Sequence, residues 1–312
     1  MQAGPNIDEL FDRRIGYPDF DPQERLARLI GLDEQKERLR KMLGLLVNPA
    51  GLEAWAKKHH NGAPALLGSV MRRPPLVVLA GDVGSGKTEL AETIGDAVAR
   101  QEEIEIELFP LSLSSRGQGR VGEMTQLISA AFDITAAQAA KLKSGNGRAR
   151  GAVILLVDEA DALAQSRESA QMHHEDRAGV NAFIRGVDRL AEKGLPAAVI
   201  MCTNRLSALD PAVRRRAADV LTFSRPGHEQ RRAVLAPALS EAGFSTSDID
   251  ALVAATGAQN GRDYGFTFSD LTQRLLPAIV LAAYPDGPVT ACAAMEIARG
   301  MAPTPPFQDA TS

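Results

Sequence analysis

Cysteine is scarce in this chain: Cys202 and Cys292 are the only two among 312 residues, and no CxxC pair exists. That excludes a disulfide scaffold and a cysteine-rich zinc module, and it fits a reducing compartment. Excess charge of one sign is missing as well. The net charge is −4, so no global field draws the protein onto nucleic acid or an anionic membrane. No apolar run is long enough to span a bilayer, and the polar, Pro-rich first thirty residues do not read as a signal peptide. A cytoplasmic location is the expectation. Two adjacent histidine pairs, His59-His60 and His173-His174, lack a second ligand group at zinc spacing and read as solvated loop residues.

What is present is ordinary in bulk, with 45% hydrophobic and 24% charged residues, a composition that suits a globular α/β domain with a smaller partner. The informative stretch is Gly81-Asp82-Val83-Gly84-Ser85-Gly86-Lys87-Thr88. It follows the apolar run Leu76-Val77-Val78-Leu79-Ala80. A helical pattern comes next, with Leu90, Ile94, Ala97 and Val98 on one face. A strand, a glycine-rich loop and a helix in that order form a phosphate cradle of backbone N–H groups at a positive helix end. Residues 81–89, including Glu89, are therefore the candidate nucleotide-binding set. Lys87 is expected to bridge the β- and γ-phosphates and Thr88 to hold Mg²⁺.

Alternation of apolar runs with helical patterns predicts an α/β fold. Strands are expected at 76–80, 105–111, 152–157, 197–202 and about 219–223, making a parallel five-stranded sheet with helices on both faces. Helices are expected to 100, at 123–132, near 178–193 and near 210–217. After Arg225-Pro226-Gly227 the strands stop, and helical patterns at 228–242, 247–256, 268–284 and 289–300 predict a small all-α lid. The organisation expected is a flexible arm over 1–22, a helical linker over 23–75, the large domain over 76–226, the lid over 227–302, and a disordered tail over 303–312.

Two further strand ends carry chemistry. Ala152-Val153-Ile154-Leu155-Leu156-Val157 runs into Asp158-Glu159, which puts both carboxylates at the sheet edge where ligands sit in open α/β folds. Asp158 is expected in the Mg²⁺ shell, and Glu159 is expected to activate water. The next strand ends in Thr203-Asn204, whose neutral amide can hold water or the γ-phosphate in line; an Asx-turn is the alternative for that asparagine. Beyond it, Arg214-Arg215-Arg216 puts three guanidinium groups on a short helix, one of which can reach a neighbouring subunit's γ-phosphate.

These residues together resemble an AAA+ ATPase over about 24 to 300. Ile30-Gly31-Leu32-Asp33-Glu34 resembles the linker that precedes many such modules. Within that family, the stretch from Asp210 to Asp219 looks like the pachytene-checkpoint type, and Arg274-Leu275-Leu276-Pro277 is similar to its second-sensor helix. The resemblance implies a homo-oligomer, a hexameric ring, using ATP and Mg²⁺. It implies Arg216 as arginine finger with Arg215 as second candidate, and Arg274 as the lid arginine sensing the γ-phosphate. It also implies that Arg120-Val121-Gly122 is the substrate-gripping pore loop, although the family usually carries an aromatic there. The first 22 to 30 residues are expected to leave no room for an N-terminal adaptor-binding domain. That short architecture resembles bacterial members working beside HORMA-domain proteins and nucleotidyltransferases in antiphage signalling (CBASS). For such members the resemblance implies an ATP-driven remodeller that disassembles the HORMA complex and restrains cyclic-nucleotide synthesis.

Two patterns compete and fall short. Gly117-x-Gly119-x-x-Gly122 sits several residues past its strand, where a dinucleotide turn is tight. Asp158-Glu159-Ala160-Asp161 spells a helicase box, but a helicase needs a second α/β domain where this chain turns helical. The alternative function classes are a nucleic-acid-associated switch of the clamp-loader or transposition-helper type, and an enzyme-activating chaperone. The acidic net charge favours a protein substrate and makes a nucleic-acid partner the weaker expectation.

Overall fold

In the computed structural model the described residues are 10–307, apart from 12, 63, 114–122, 144–148, 162–173, 206, 208 and 260–261. They form two compact units. The first takes residues 1–28, 34–80 and 88–222, and the second takes 29–33, 81–87 and 223–312.

The first unit is built on a six-stranded sheet. Its strands are β1 (Ile15–Tyr17), β2 (Leu76–Gly81), β3 (Glu105–Ser112), β4 (Gly151–Asp158), β5 (Ala197–Thr203) and β6 (Ala217–Phe223), in the order β1-β3-β4-β5-β2-β6. Strands β3, β4, β5 and β2 pair in parallel, in register from Glu105 opposite Gly151 to Ser112 opposite Asp158. β4 and β5 are near-continuous buried runs. Such runs are what parallel strands covered on both faces require. Helices α1 (Phe20–Arg28), α2 (Asp33–Val47), α3 (Pro49–His60) and α4 (Pro64–Met71) precede β2. Helices α5 (Lys87–Glu102), α6 (Glu123–Leu142), α7 (His174–Glu192) and α8 (Pro211–Arg216) alternate with the strands that follow. Phe132 on α6 meets Phe183 on α7 edge-on at 5.6 Å. No helix among the described residues is long and apolar enough to cross a membrane.

Two expectations fail here. The sheet has a sixth, antiparallel strand, because Ile15, Gly16 and Tyr17 pair with Leu108, Glu107 and Ile106. They lie in the stretch expected to be a flexible arm. Three residues are too few to set up a readable alternation, and tertiary contacts supply what the pattern lacks. Leu10, Phe11 and Tyr17 are buried. Tyr17 bonds the Glu92 carbonyl, and the Asp19 amide donates to Asp96 at 2.9 Å. Helix α6 also runs ten residues past its expected end at 132, since its alanine-rich second half carries little apolar signal yet buries Ala136 and Ala139.

The second unit packs α9 (His228–Glu241), α10 (Thr246–Ala255), α11 (Leu276–Ala283) and α12 (Ala291–Gly300) around Leu235, Leu252, Phe266, Leu271 and Leu275. A capping box of Ser245 and Asp248 starts α10. The helix expected over 268–284 is divided. A π-helical turn, Asp270–Leu275, precedes α11, and Pro277 in the first turn of α11 has no N–H to continue the ladder. The tail expected from 303 is packed as far as 307, and Pro303 is buried. Its anchor is Asp270, a fully buried carboxylate. That carboxylate accepts from the Thr267 and Thr304 amides at 3.0 Å each, the Thr304 hydroxyl at 2.7 Å and Arg274 at 2.6 Å. Residues Gly81–Lys87 of the phosphate loop group with this unit, whereas the sequence pattern places them in the α/β unit.

Two predictions follow from the packing. Gly95 on α5 faces the Tyr17 ring, which a Cβ would meet at 2.3 Å. Gly→Ala in a helix ordinarily stabilises by about 1 kcal/mol, but Gly95→Ala should lower the melting temperature here. In a Tyr17→Ala background the same change should raise it; stabilisation by Gly95→Ala alone contradicts the packing.

Burial pushes the Asp270 carboxyl up, but the bonds from Thr267, Thr304 and Arg274 outweigh it and hold it below its ordinary value of 3.8. A depressed carboxylate contributes stability that is complete above that ordinary value and is lost as pH falls through the folded one. Acid titration of thermal stability should therefore show a loss below pH 3.8 that Asp270→Asn flattens; parallel curves for the two proteins contradict it.

Candidate nucleotide site

The phosphate loop owes its path to residues that lack a Cβ. Gly81 has φ 155°, and a Cβ there would lie 2.0 Å from the Phe223 carbonyl oxygen. Gly84 has φ 69° and sits against Thr267 and Ser269. The loop is held from within its own unit. The Gly84 carbonyl accepts from the Ser269 amide at 3.2 Å. Asp82 pairs with Arg225 at 2.6 Å, and Arg225 also donates to the Gly265 carbonyl and lies over the Tyr264 ring. Lys87 is buried, and its ammonium donates to the Gly81 and Asp82 carbonyls at 2.9 and 2.7 Å. Those carbonyls satisfy a cation that burial has taken out of water.

At the strand ends of the α/β unit, β4 delivers Asp158 opposite Ser112. The Thr88 hydroxyl donates to Asp158 Oδ1 at 3.3 Å, and the Glu159 amide donates to the same oxygen at 2.8 Å. Burial pushes the Asp158 carboxyl above its ordinary range, with those two donors opposing. A half-desolvated carboxylate beside a threonine hydroxyl is an oxygen donor set that fits Mg²⁺, which keeps waters and takes one or two protein ligands. Glu159 adopts φ 52°, a left-handed conformation that costs a non-glycine residue about 1–3 kcal/mol. Its carboxylate accepts from Ser112 at 3.1 Å.

Asn204 stands at the end of β5, tied to Asp161. That acid accepts from the Thr203 hydroxyl at 2.7 Å, the Asn204 amide at 2.8 Å and the Asn204 side chain at 3.1 Å. In the sequence Asp161 stands out only as the last residue of a helicase-like box, and Ser112 only as a serine ahead of the Gly117-x-Gly119 pattern. A serine closing a strand has no signature of its own, and the parallel register is what brings it to Glu159. The side chain of Glu89, expected among the nucleotide-binding residues, faces Arg25 of α1, which holds it through two bonds of 2.8 and 2.9 Å.

The three arginines of α8 are not equivalent. Asp210 caps the helix through the Ala212 amide. Arg216 makes a two-pronged pair with Asp188 of α7, at 2.7 and 2.9 Å, while Arg214 and Arg215 are exposed. In the second unit Arg274 donates to Asp270, to the Ala302 carbonyl at 3.2 Å and to Thr304. The expected pore loop, Arg120-Val121-Gly122, lies outside the described residues.

Residues 77–225 match the model of the ATPase family associated with various cellular activities (AAA). The chain is 67% identical to CD-NTase-associated protein 6 of Escherichia coli (strain MS 115-1) over 309 residues, which is 99% of each protein. A chain of the E. coli MS115-1 HORMA:CdnC:Trip13 complex superposes with a TM-score of 0.90 at 65% identity, covering 98% of this chain and 100% of that one. Rhizobiales Trip13 follows at 0.74 and 59%, with 95% and 100% covered. The glycine loop, the paired acids and the parallel strand order are thus those of a nucleotide-binding AAA ATPase domain, and the chain belongs to the family of CD-NTase-associated protein 6.

Proposed function

We propose that this protein is an ATP-driven, ring-forming remodeller whose substrate is a HORMA-domain protein, free or bound to a nucleotidyltransferase. The observation that carries the reading is the near full-length likeness to a chain of the HORMA:CdnC:Trip13 complex. Disassembly of such a complex in the cytoplasm restrains second-messenger synthesis in antiphage defence.

In this reading the loop amides and Lys87 bind the β- and γ-phosphates of ATP. Thr88 and Asp158 hold Mg²⁺, which when bound neutralises charge on the phosphate oxygens. Glu159 takes a proton from the attacking water, and its bond to Ser112 sets where the carboxylate waits. Asn204, aligned by Asp161, orients that water without adding charge. Arg216 acts in the adjoining protomer of a hexamer, pre-oriented by Asp188 at a partly exposed position; Arg215 is the second candidate. Arg274 reads the γ-phosphate, and Arg120-Val121-Gly122 grips the polypeptide.

Two outcomes test these roles. Glu159→Gln should bind ATP normally and lose about a hundredfold or more in turnover, measured as phosphate release, and should co-purify a HORMA-domain protein in ATP. Wild-type turnover removes Glu159 from the chemistry, and an empty trap with HORMA protein supplied removes the substrate. Mixing Arg216→Ala with Lys87→Ala protein should restore part of the ATPase that each lacks, because one interface regains both groups. Rescue of Arg215→Ala in its place moves the finger by one residue, and no rescue of either, with assembly intact, rejects action across protomers.

A further inference from the structure

Residues from 303 onward are expected from sequence to trail away from the protein, yet residues 302–307 are bonded to the second unit. Three prolines among them, Pro303, Pro305 and Pro306, restrict the backbone to extended conformations, so little entropy is lost on docking. The Ala302 carbonyl accepts from Arg274 at 3.2 Å. Thr304 gives both its donors, the amide at 3.0 Å and the hydroxyl at 2.7 Å, to Asp270. The Phe307 amide approaches Asp82 of the phosphate loop at 3.4 Å. The segment therefore touches the loop and the lid arginine together.

The geometry has a direction. Asp270 is fully buried and is the acid that holds Arg274 one helical turn away, at 2.6 Å. Thr304 Oγ1 and Arg274 Nη1 share the same carboxylate oxygen, Oδ1, and lie 3.5 Å apart. The Ala302 carbonyl holds the second arm of the guanidinium. One hydroxyl and one carbonyl of the tail thus fix the plane and position of the arginine fork, and the remaining N–H groups are left to point elsewhere. The π-helical turn at Asp270–Leu275 sets Arg274 out of ordinary helical phase, so its placement depends on such outside contacts.

We infer that residues 302–307 form part of the ATP site, and that Thr304, acting through Asp270, is a positioning residue for Arg274 as it reads the γ-phosphate. This rests on the reading that Arg274 contacts that phosphate. Removing the Thr304 hydroxyl leaves the Asp270 carboxylate short of a donor, and the Arg274 fork swings to compensate. ATP affinity then falls, whereas ADP affinity does not, because ADP lacks the group that Arg274 reads.

The test measures ATP and ADP dissociation constants by fluorescence titration of the full chain in a Glu159→Gln background, where ATP survives. Thr304→Val should weaken ATP about tenfold, the size of one lost hydrogen bond to a charged group, and leave ADP within about twofold. Thr304→Ser should restore ATP binding, which a merely structural defect at this site does not predict. Thr304→Ala, with less bulk against Asp270, should repeat the ATP-selective loss and serves if the valine variant fails to fold. Added to Arg274→Ala, Thr304→Val should cost nothing further. Unchanged ATP affinity, equal loss of ATP and ADP, or a full additional loss on top of Arg274→Ala overturns the inference. If Arg274→Ala alone leaves ATP affinity untouched, the reading of the lid arginine fails, and the inference built on it falls with it.

Discussion

A buried ammonium is the constraint from which the rest of this molecule can be derived. Lys87 is almost wholly out of water, and carbonyl oxygens of its own loop satisfy its charge. Those carbonyls converge because glycines at 81, 84 and 86 take backbone angles that side chains resist. Desolvating a cation costs several kcal/mol unless it is matched. In the proposed function, those carbonyls are what a phosphate anion replaces. Neighbouring contacts are consistent with that cost: Asp82 is clamped by Arg225, and the Gly84 carbonyl by the Ser269 amide.

The carboxylates obey the same logic at the sheet edge. Parallel pairing without slippage from Glu105 to Ser112 puts Ser112 level with Asp158 and makes the Ser112–Glu159 bond possible. Asp158 and Glu159, adjacent in sequence, then have different surroundings. Asp158 is half-buried beside a hydroxyl, and Glu159 is held on a strained backbone facing a serine. In the proposed function, these different surroundings give two like groups the divided roles that hydrolysis of a phosphoanhydride needs. Asp161 extends the set by fixing Asn204 through two bonds, with a third from Thr203, which turns a strand-end amide into an oriented donor.

Much of this was legible from residues alone, where local pattern and tertiary demand agree. Long aliphatic runs such as Val153 to Val157 announce buried strands, and the glycine loop announces its own geometry. The failures share a cause. Ile15–Tyr17 is a strand only because β3 offers an edge and Gly95 makes room for a ring. Residues 303–307 are ordered only because Asp270 needs donors. Glu89 looks like part of a phosphate motif but answers to Arg25, distant in sequence. Partners remote in the chain leave no period to read. The arginine run shows the same limit, since Asp188 on another helix is what distinguishes Arg216 from its neighbours.

Nucleotide binding by way of the buried lysine is the claim that everything else requires. Titration of the full chain with ATP in magnesium, followed by calorimetry, tests it most directly. The account predicts saturable binding at one site per chain that Lys87→Ala abolishes while the chain stays folded. Binding of equal strength in wild-type and Lys87→Ala protein, or none in the wild type, contradicts it.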